Sequence, residues 1–239
     1  MGKVILSCSG SGGTGKTTFA VNLSIAAALR GLKVLIVDMN IGRRNADIYL
    51  GMEDRILFDL GDVISGLCRL DKAIIQHDVC ENLYLLSCPQ YRDIDGIGPG
   101  HVKALYAALR ERFDLVIVDC PVSVSGVLRI FSCGADAALM LTTPDYLSVR
   151  NTEALSEKLD ILGVSELYYA INRMDRSYPD NDAVPNLSFI TKSINVPLVG
   201  IITEDITIHS ANNSGYPIAL VAGSDMAHRF SDMVSRLTN

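Results

Sequence analysis

Short apolar runs, most of them closed by a polar residue, alternate along the chain with longer stretches of helical spacing. A short apolar run bounded by polar residues predicts a buried strand, and apolar positions that recur every three or four residues predict a helix. Predicted strands occupy residues 4–8, 33–38, 113–119, 137–142, 167–173 and 197–202, and predicted helices occupy 19–30, 101–112, 146–162 and 226–237. This alternation predicts an α/β fold with a doubly wound, mostly parallel sheet, whose ligands bind at the carboxyl ends of the strands.

Two of the predicted helices carry an apolar stripe along one face. The apolar positions of 226–237 follow i, i+4, i+7, i+8 and i+11, and those of 101–112 also share a face. The stripes are Met226, Phe230, Met233, Val234 and Leu237 in the last helix, and Val102, Leu105, Ala108 and Leu109 in the earlier one. We expect the stripe of the last helix to pack on the domain and not on lipid.

Composition and charge narrow the class of protein. The 239 residues are 49% hydrophobic and 20% charged, which is typical of a globular chain, and the length fits one domain over residues 1–239. The net charge is -6 and no run of Lys and Arg stands out, so we expect no broad nucleic-acid surface. No stretch reaches the ~18–20 apolar residues of a membrane span, and the first strand leaves no room for a signal peptide, which predicts a cytoplasmic protein.

The six cysteines give little support to a metal or redox site. They include no C-x-x-C pair, so a zinc or iron–sulfur site is not indicated. Cys8 and Cys120 each lie at the end of a predicted central strand, and the alternatives for this pair are a redox switch and ordinary packing. Two small buried hydrophobic residues are the favoured interpretation.

Residues 10–17 carry the strongest chemical signal in the sequence. Their spacing, G-x-x-x-x-G-K-[ST] between a predicted strand and a predicted helix, predicts a phosphate-binding loop and not an empty glycine-rich turn. Glycines let several backbone N–H groups point inward, and the helix adds its positive end. Lys16 would reach the β- and γ-phosphates, and the Thr17 hydroxyl would take one position on Mg²⁺. The predicted phosphate-binding residues are Gly10, Ser11, Gly12, Gly13, Thr14, Gly15, Lys16, Thr17 and Thr18.

A second signal lies downstream of this loop. The apolar run 113–119 ends in Asp119, as a Walker B strand does. The carboxylate of such a strand holds the Mg²⁺ shell, usually through water. An apolar run that ends in Asp is a weak signal alone, but it becomes strong when a phosphate-binding loop precedes it.

The segment that follows Asp38 resembles the first switch region of the MinD proteins, the cell-division branch of the MinD/ParA family of P-loop ATPases. The likeness covers most of the chain in family order, through residues 39–51, 58–60, 62–66 and 82–87 and then Arg92 and Asp93. The resemblance implies a P-loop NTPase sheet of seven or eight strands, with ATP or ADP and Mg²⁺ as ligands. It also implies a homodimer and a protein partner in the division machinery.

The resemblance also predicts a site for the base. Asn172 and Arg173, at the end of the run 167–173, resemble the family's adenine site. An Asn side chain carries both the donor and the acceptor that the edge of adenine requires. Thr203, Glu204 and Asp205 stand where the family usually has Pro-Glu-Asp, so the proline is missing and the base contacts differ.

Two residues depart from the family in the hydrolytic machinery. The family's signature lysine crosses a dimer interface to the partner's nucleotide, and here its position is Ser11. By analogy with an arginine finger, such a cation is worth roughly 10³–10⁵ in rate. Asn40 stands where the family usually has the Asp that orients or deprotonates the attacking water, and an amide is no base at neutral pH.

The groups that bind phosphate and Mg²⁺ in the family are all retained, namely Lys16, Thr17, Asp38 and Asp119. The resemblance therefore predicts nucleotide binding with slow or no hydrolysis, from a catalytic set of Lys16 with the degenerate Ser11 and Asn40. Arg43 is an alternative cation for the γ-phosphate, although an ordinary solvated charge is the favoured interpretation of Arg43.

Two functions stay open at this stage. The first is a MinD-like nucleotide switch that positions the division machinery, which the matches at 41–42 and 44–45 favour. The second is a non-catalytic localisation scaffold, similar to atypical relatives in pilus and polarity systems, which Ser11 and Asn40 favour. A DNA-segregating relative would need a basic surface, and a metal-cluster relative would need paired cysteines, so both fit poorly.

The resemblance leaves the biological partner, the process and the gating of dimerisation open. MinD proteins usually carry a basic amphipathic tail for membrane binding beyond the last helix. The sequence stops at Asn239 without such a tail. We therefore expect membrane contact to be weak.

Overall fold

Eight strands join in one sheet in the computed structural model, which describes residues 2–90, 96–122, 126–175 and 184–238. Their spatial order is β3-β4-β2-β5-β1-β6-β7-β8. The strands are β1 (Lys3–Cys8), β2 (Val34–Asp38), β3 (Ile74–Gln76), β4 (Leu83–Leu86), β5 (Leu115–Asp119), β6 (Ala137–Thr142), β7 (Glu166–Met174) and β8 (Leu198–Thr203). The predicted α/β class and the expected seven or eight strands are confirmed.

Neighbouring strands are parallel except at one edge, where β3 pairs antiparallel with β4. The predicted strands did not include β3 or β4, because strands of three and four residues are too short to show a clear pattern. The register sets Asp119 opposite Ser7 on one side and opposite Asp38 on the other. The ends of the three central strands therefore meet at one edge of the sheet.

Helices cover both faces of this sheet. Those of the described residues are α1 (Lys16–Leu29), α2 (Ala46–Tyr49), α3 (Leu60–Ile64), α4 (Leu70–Ala73), α5 (Pro99–Arg110), α6 (Gly126–Phe131), α7 (Tyr146–Ile161), α8 (Leu187–Ser193), α9 (Ile206–Asn213) and α10 (Asp225–Thr238). None of them is long and apolar enough to span a bilayer. Arg92 and Asp93 lie outside the described residues.

Helix α1 begins at Lys16, three residues before the predicted start of 19–30. Gly15 precedes it with a φ of 87°, a left-handed conformation that a glycine adopts without strain. The first turn of α1 therefore begins within the glycine motif of residues 10–17. The first N–H groups of α1 consequently face the end of the sheet, where the loop lies.

Alternate residues of the central strands belong to two apolar clusters, one on each face of the sheet. Ile5 and Ile36 belong to the cluster beneath α1 and α10, and Leu6 and Leu35 belong to the cluster beneath α5 and α7. The apolar stripe of α10 is buried at all five positions, so the expectation that it packs on the domain is confirmed. In α5, Tyr106 is buried with Val102 and Leu109, whereas Leu105 and Ala108 are only half-buried.

Candidate nucleotide-binding site

The phosphate-binding loop joins β1 to α1 and leaves open space at its centre. Gly13 has a φ of 73°, and a Cβ added at Gly12 or Gly13 would meet no atom within 4 Å. At Gly15 the situation is the reverse, because a Cβ there would lie 2.5 Å from Nδ2 of Asn172. Gly15 therefore lets β7 approach the loop, while its neighbours keep room for a ligand.

Lys16 places a buried cation at the mouth of the loop. The residue is 6% exposed and forms no ion pair with any residue that the structure describes. Burial lowers the pKa of its ammonium group, and the nearby charge of Asp119 opposes that shift. A cation without a close counter-ion is suited to an anionic ligand, because burying a charge is favourable only when it is paired.

Asp119 accepts two short hydrogen bonds on the same carboxylate oxygen. Thr17 Oγ1 and Asn40 Nδ2 each donate to Asp119 Oδ2 over 2.6 Å. Burial and then the charge of Asp38 raise the pKa of Asp119 to about 7, against the hydrogen bonds from Thr17 and Asn40 and the charge of Lys16. The other oxygen, Oδ1, is buried and has no hydrogen-bond partner among the residues that the structure describes. A carboxylate with a spare oxygen beside a hydroxyl is a donor set that fits Mg²⁺.

Asp38 is buried and fully hydrogen-bonded by the residues that follow it. Its Oδ1 accepts from the backbone N–H of Asn40 at 2.8 Å and from Asn40 Nδ2 at 3.1 Å. Its Oδ2 accepts from the backbone N–H groups of Asn45 at 3.0 Å and Ala46 at 3.1 Å. Asp38 thereby anchors residues 39–49, the first switch segment, and its part in a metal site stays a prediction.

The side chain of Asn40 bridges the two buried carboxylates. Both of its partners are carboxylate oxygens, so the NH₂ group and not the carbonyl must face Asp38 and Asp119. An Asp at this position would place a third carboxylate between them, and repulsion among the three negative charges would disfavour that arrangement. The amide is therefore matched to this arrangement in a way that a carboxylate is not.

Ser11 is held against helix α7 of the same chain. Asn151 Nδ2 donates to Ser11 Oγ over 3.0 Å, and Ser9 Oγ donates to the carbonyl of Ser11 over 2.7 Å. A Cβ at Gly10 would lie 2.3 Å from the Asn151 carbonyl oxygen, so the loop and the helix are in close contact. The position of the family's signature lysine is thus occupied by a short side chain that is hydrogen-bonded within its own chain.

The predicted base residues surround one cavity of about 210 Å³. Asn172 donates from Nδ2 to the Thr14 carbonyl over 2.7 Å, which leaves its Oδ1 for a ligand. Arg173 has a φ of 59°, a left-handed conformation that strains a non-glycine residue. The lining comprises Gly13, Gly15, Thr18, Phe19, Tyr49, Asn172, Arg173, Ile202, Thr203, Glu204, Asp205, Ile208, His209, Asn212 and Phe230. Apolar and aromatic side chains thus provide a surface for a flat base.

A second cavity, of about 430 Å³, lies on the other side of the loop. It is lined by Gly13, Gly15, Lys16, Thr17, Thr18, Asn40, Ile41, Arg43, Asn45, Tyr49, Pro121 and Val122. The two cavities share Gly13, Gly15, Thr18 and Tyr49. Of the predicted site residues, Lys16, Thr17, Thr18 and all five base residues line these two adjoining cavities. Asp119 lies behind them, hydrogen-bonded to Thr17 and Asn40, whereas Ser11 faces α7.

Three residues of the site carried no signal in the sequence. Tyr49 lines both cavities, Asn151 holds Ser11, and Asn212 donates from Nδ2 to Thr18 Oγ1 over 2.9 Å. Asn151 and Asn212 act on residues far from them along the chain, so only the fold brings each pair together. Tyr49 lies within the segment that resembles the first switch region, but no motif marked its side chain.

Comparison with known sequences identifies the family. Residues 5–218 match the family described as "CobQ/CobB/MinD/ParA nucleotide binding domain". The septum site-determining protein MinD of Bacillus subtilis is 33% identical over 222 residues, which are 92% of this chain and 83% of that protein. The MinD protein of Thermotoga maritima is 31% identical over 239 residues, which are 99% of this chain and 88% of that protein.

Solved structures agree with the sequence matches. MinD of Pyrococcus horikoshii complexed with Mg-ADP superposes with a TM-score of 0.88 at 27% identity, over 99% of this chain and 96% of that one. A chain of the MinC:MinD cell division protein complex of Aquifex aeolicus gives a TM-score of 0.88 at 29% identity, over 98% and 95%. The predicted P-loop NTPase fold is thus confirmed, and the chain belongs to the MinD/ParA family of nucleotide-binding proteins.

Proposed function

We propose that this chain, as one nucleotide-binding domain over residues 1–239, is an ATP-binding switch of the MinD type with weak hydrolysis. It would help to position cell-division or other polar machinery. The observation that carries the proposal is the Asn40 amide, which joins the Walker B carboxylate of Asp119 to the first switch segment over 2.6 Å. This hydrogen bond links the nucleotide site to the first switch segment. Asn40 itself stands at the position of the family's catalytic carboxylate.

The cleft supports binding of a whole nucleotide. The base would occupy the cavity around Asn172 and Glu204, and the phosphates would meet the loop amides and Lys16. Thr17 and Asp119 would hold Mg²⁺, with Asp38 beside them, and the ion supplies positive charge to the β- and γ-phosphates when it is bound. The Mg-ADP complex of the Pyrococcus horikoshii relative supports this assignment.

The hydrogen bonds of Asn40 support a switch. Asn40 and Thr17 share one oxygen of Asp119, so a change of partner at Thr17 or Asp119 alters the hydrogen bonding of Asn40. Asn40 transmits that change to the first switch segment, because its backbone and side chain also bind Asp38. Ligand binding would thereby rearrange a surface segment through two buried carboxylates.

Weak hydrolysis is supported by the chemistry of two residues. Only interactions that strengthen in the transition state accelerate the reaction. Ser11 supplies no cation, and the Asn40 amide points its donors at carboxylates and cannot accept a proton from water. Lys16 is retained, and it would stabilise bound ATP by neutralising the phosphates of the ground state.

A constitutive scaffold is the second candidate. The hydrogen bond from Asn151 to Ser11 favours it, because the signature position is used inside the chain and not across a nucleotide-dependent interface. Sedimentation velocity of the purified protein, nucleotide-free and with Mg-ATP, separates the two functions. A monomer that dimerises with Mg-ATP supports the switch, whereas a dimer of equal strength without nucleotide supports the scaffold and contradicts the main proposal.

The proposed partners follow from the relatives and from charge. An Aquifex aeolicus relative was solved as a MinC:MinD cell division protein complex, which supports a protein partner in the division machinery. A homodimer as the active form is proposed from the resemblance to the family. The net charge of -6 disfavours a nucleic-acid partner. The same charge and the burial of the α10 stripe disfavour stable membrane contact, so we place the protein in the cytoplasm.

A further inference from the structure

The two cavities of the nucleotide cleft meet at a narrow set of residues. Gly13, Gly15, Thr18 and Tyr49 line both of them, and Tyr49 is the one member of this set that lies outside residues 13–18. The ribose joins the base to the phosphates of a nucleotide. A nucleotide with its base in the first cavity and its phosphates in the second must therefore place its ribose beside these residues.

Tyr49 offers a side-chain hydroxyl at this junction whose donor and acceptor are both unused within the described residues. Gly13 and Gly15 present only backbone, and the Thr18 hydroxyl already accepts from Asn212 Nδ2 over 2.9 Å. The Tyr49 hydroxyl forms no hydrogen bond with any residue in the described part of the chain. A phenol both donates and accepts, which suits the 2′- and 3′-hydroxyls of ribose.

The backbone holds Tyr49 in place from both ends of its short helix. Asp38 Oδ2 accepts from the N–H groups of Asn45 and Ala46 at the start of α2. Beyond its end, Gly51 crosses Gly215 so closely that a Cβ on Gly215 would lie 2.9 Å from the Gly51 Cα. The half-buried ring of Tyr49 packs on the apolar cluster between these anchors. The ring is thus held as a wall of the cleft, and its hydroxyl has no hydrogen-bond partner in the part of the chain that the structure describes.

We infer that Tyr49 is a specificity-determining residue that binds the ribose of the nucleotide. The inference rests on the proposed nucleotide binding. It adds discrimination between ribonucleotides and deoxynucleotides, which the phosphate-binding loop does not supply. Because Tyr49 is the last residue of the first switch segment, that segment would contact ADP as well as ATP. Ribose recognition would therefore not depend on the γ-phosphate.

Calorimetric titration with Mg-ATP, Mg-2′-deoxyATP and Mg-3′-deoxyATP tests the inference. We expect the native protein to bind at least one deoxy analogue about threefold to tenfold more weakly than ATP, the range of one net hydrogen bond. Tyr49→Phe should bind ATP about as weakly as that analogue and lose the discrimination. Tyr146→Phe, which removes a hydroxyl from an exposed ring on α7, should leave the discrimination unchanged.

Two results of this titration would overturn the inference. One is equal affinity of the native protein for all three nucleotides, and the other is unaltered discrimination in Tyr49→Phe. Failure of the native protein to bind any of them would instead refute the proposed function. Tyr49→Phe keeps the ring and its packing, and thermal unfolding of the variant checks that the fold is retained.

A fluorescent reporter provides a second readout. The chain contains no tryptophan, so Tyr49→Trp introduces a single indole at the junction, and Tyr146→Trp is the matched control. We expect ATP and ADP to change the emission of Tyr49→Trp and to leave that of Tyr146→Trp unaltered. A response of Tyr49→Trp to tripolyphosphate, which has no ribose, that equals its response to ATP would place Tyr49 at the phosphates and contradict the inference.

Discussion

Asn40 donates from its side-chain amide to Asp119 over 2.6 Å, and the same amide reaches Asp38 at 3.1 Å. Asp38 and Asp119 are paired across neighbouring parallel strands, so their carboxylates converge at one edge of the sheet. The amide stabilises this pair because it brings donors and no charge. The position where the family usually has a carboxylate therefore serves here to hold the site together.

Loss of the Lys16 ammonium should weaken nucleotide binding sharply. Lys16 is the buried cation of the second cavity and has no close counter-ion among the described residues. We expect Lys16→Ala to reduce the affinity for Mg-ATP by at least about tenfold, since hydrogen bonds to charged groups contribute roughly 1.5–3 kcal/mol. Titration of labelled ATP measures the effect.

Lys192→Ala removes an equivalent charge from the exposed surface of α8 and should bind ATP like the native protein. Equal affinities of the native and Lys16→Ala proteins would refute the assignment of the phosphate-binding loop. Weakening of both variants to the same extent would show that net charge, and not the loop, governs binding.

The nucleotide-free protein should lose stability as pH rises toward neutrality because of Asp119. Burial raises the pKa of this carboxyl from 3.8 to about 7. Between those values the folded protein holds a proton that the unfolded chain has released, so the contribution of Asp119 to stability is lost as pH rises. The contribution amounts to a few kcal/mol at most, since one pKa unit corresponds to about 1.4 kcal/mol.

Urea unfolding at pH 5 and pH 8, without nucleotide or metal, measures this contribution. Asp119→Asn cannot ionise and is the matched variant, so the free energy of unfolding should fall less between the two pH values than it does in the native protein. Identical pH dependence in the two proteins would show that Asp119 ionises freely in the folded state.

Two of the six cysteines should react with Ellman's reagent in the native protein. Cys68 and Cys133 are partly exposed, and the other four are buried. Burial raises the pKa of the Cys8 thiol to about 12 and also raises that of Cys120, so neither presents a thiolate. Titration of thiols before and after unfolding counts them. Rapid modification of Cys8 or Cys120 would contradict this prediction and would favour the hypothesis of a redox switch at these two residues.

Membrane association should be weak even in the presence of ATP. The apolar stripe of α10 is buried in the core and the net charge is -6, so this helix offers no insertion face and the protein no attraction to anionic lipid. Co-sedimentation with anionic vesicles and Mg-ATP is the measurement, with bovine serum albumin as a non-binding control. Clear co-pelleting of this protein alone would contradict the prediction.

The central strands and the phosphate-binding loop could be predicted from the sequence because their signals are local. Each buried strand is a continuous apolar run, and the loop is one contiguous motif. The start of α1 at Lys16 depended on the left-handed Gly15, which periodicity alone does not indicate. The polar contacts that define the site, such as Asn151 with Ser11, join residues from distant segments and required the fold.

The chemistry of Asn40 shows the limit of motif comparison. The sequence marked it as a missing carboxylate, and the structure adds that its amide has two carboxylate partners of its own. A restored Asp would therefore remove a stabilising donor as well as supply a base. Recovery of catalysis should consequently require Mg²⁺, whose charge compensates the added carboxylate.

Steady-state phosphate release at saturating Mg-ATP measures whether Ser11 and Asn40 leave the site without efficient hydrolysis. The four proteins are the native chain, Ser11→Lys, Asn40→Asp and the double variant, with Asn195→Asp as a control for a remote added charge. We predict barely measurable release by the native chain, little gain from either single change, and a gain in the double variant above the product of the two, because groups of one catalytic unit are not additive. Brisk hydrolysis by the native chain would refute weak hydrolysis and would make Arg43, which lines the second cavity, the first candidate for a compensating cation.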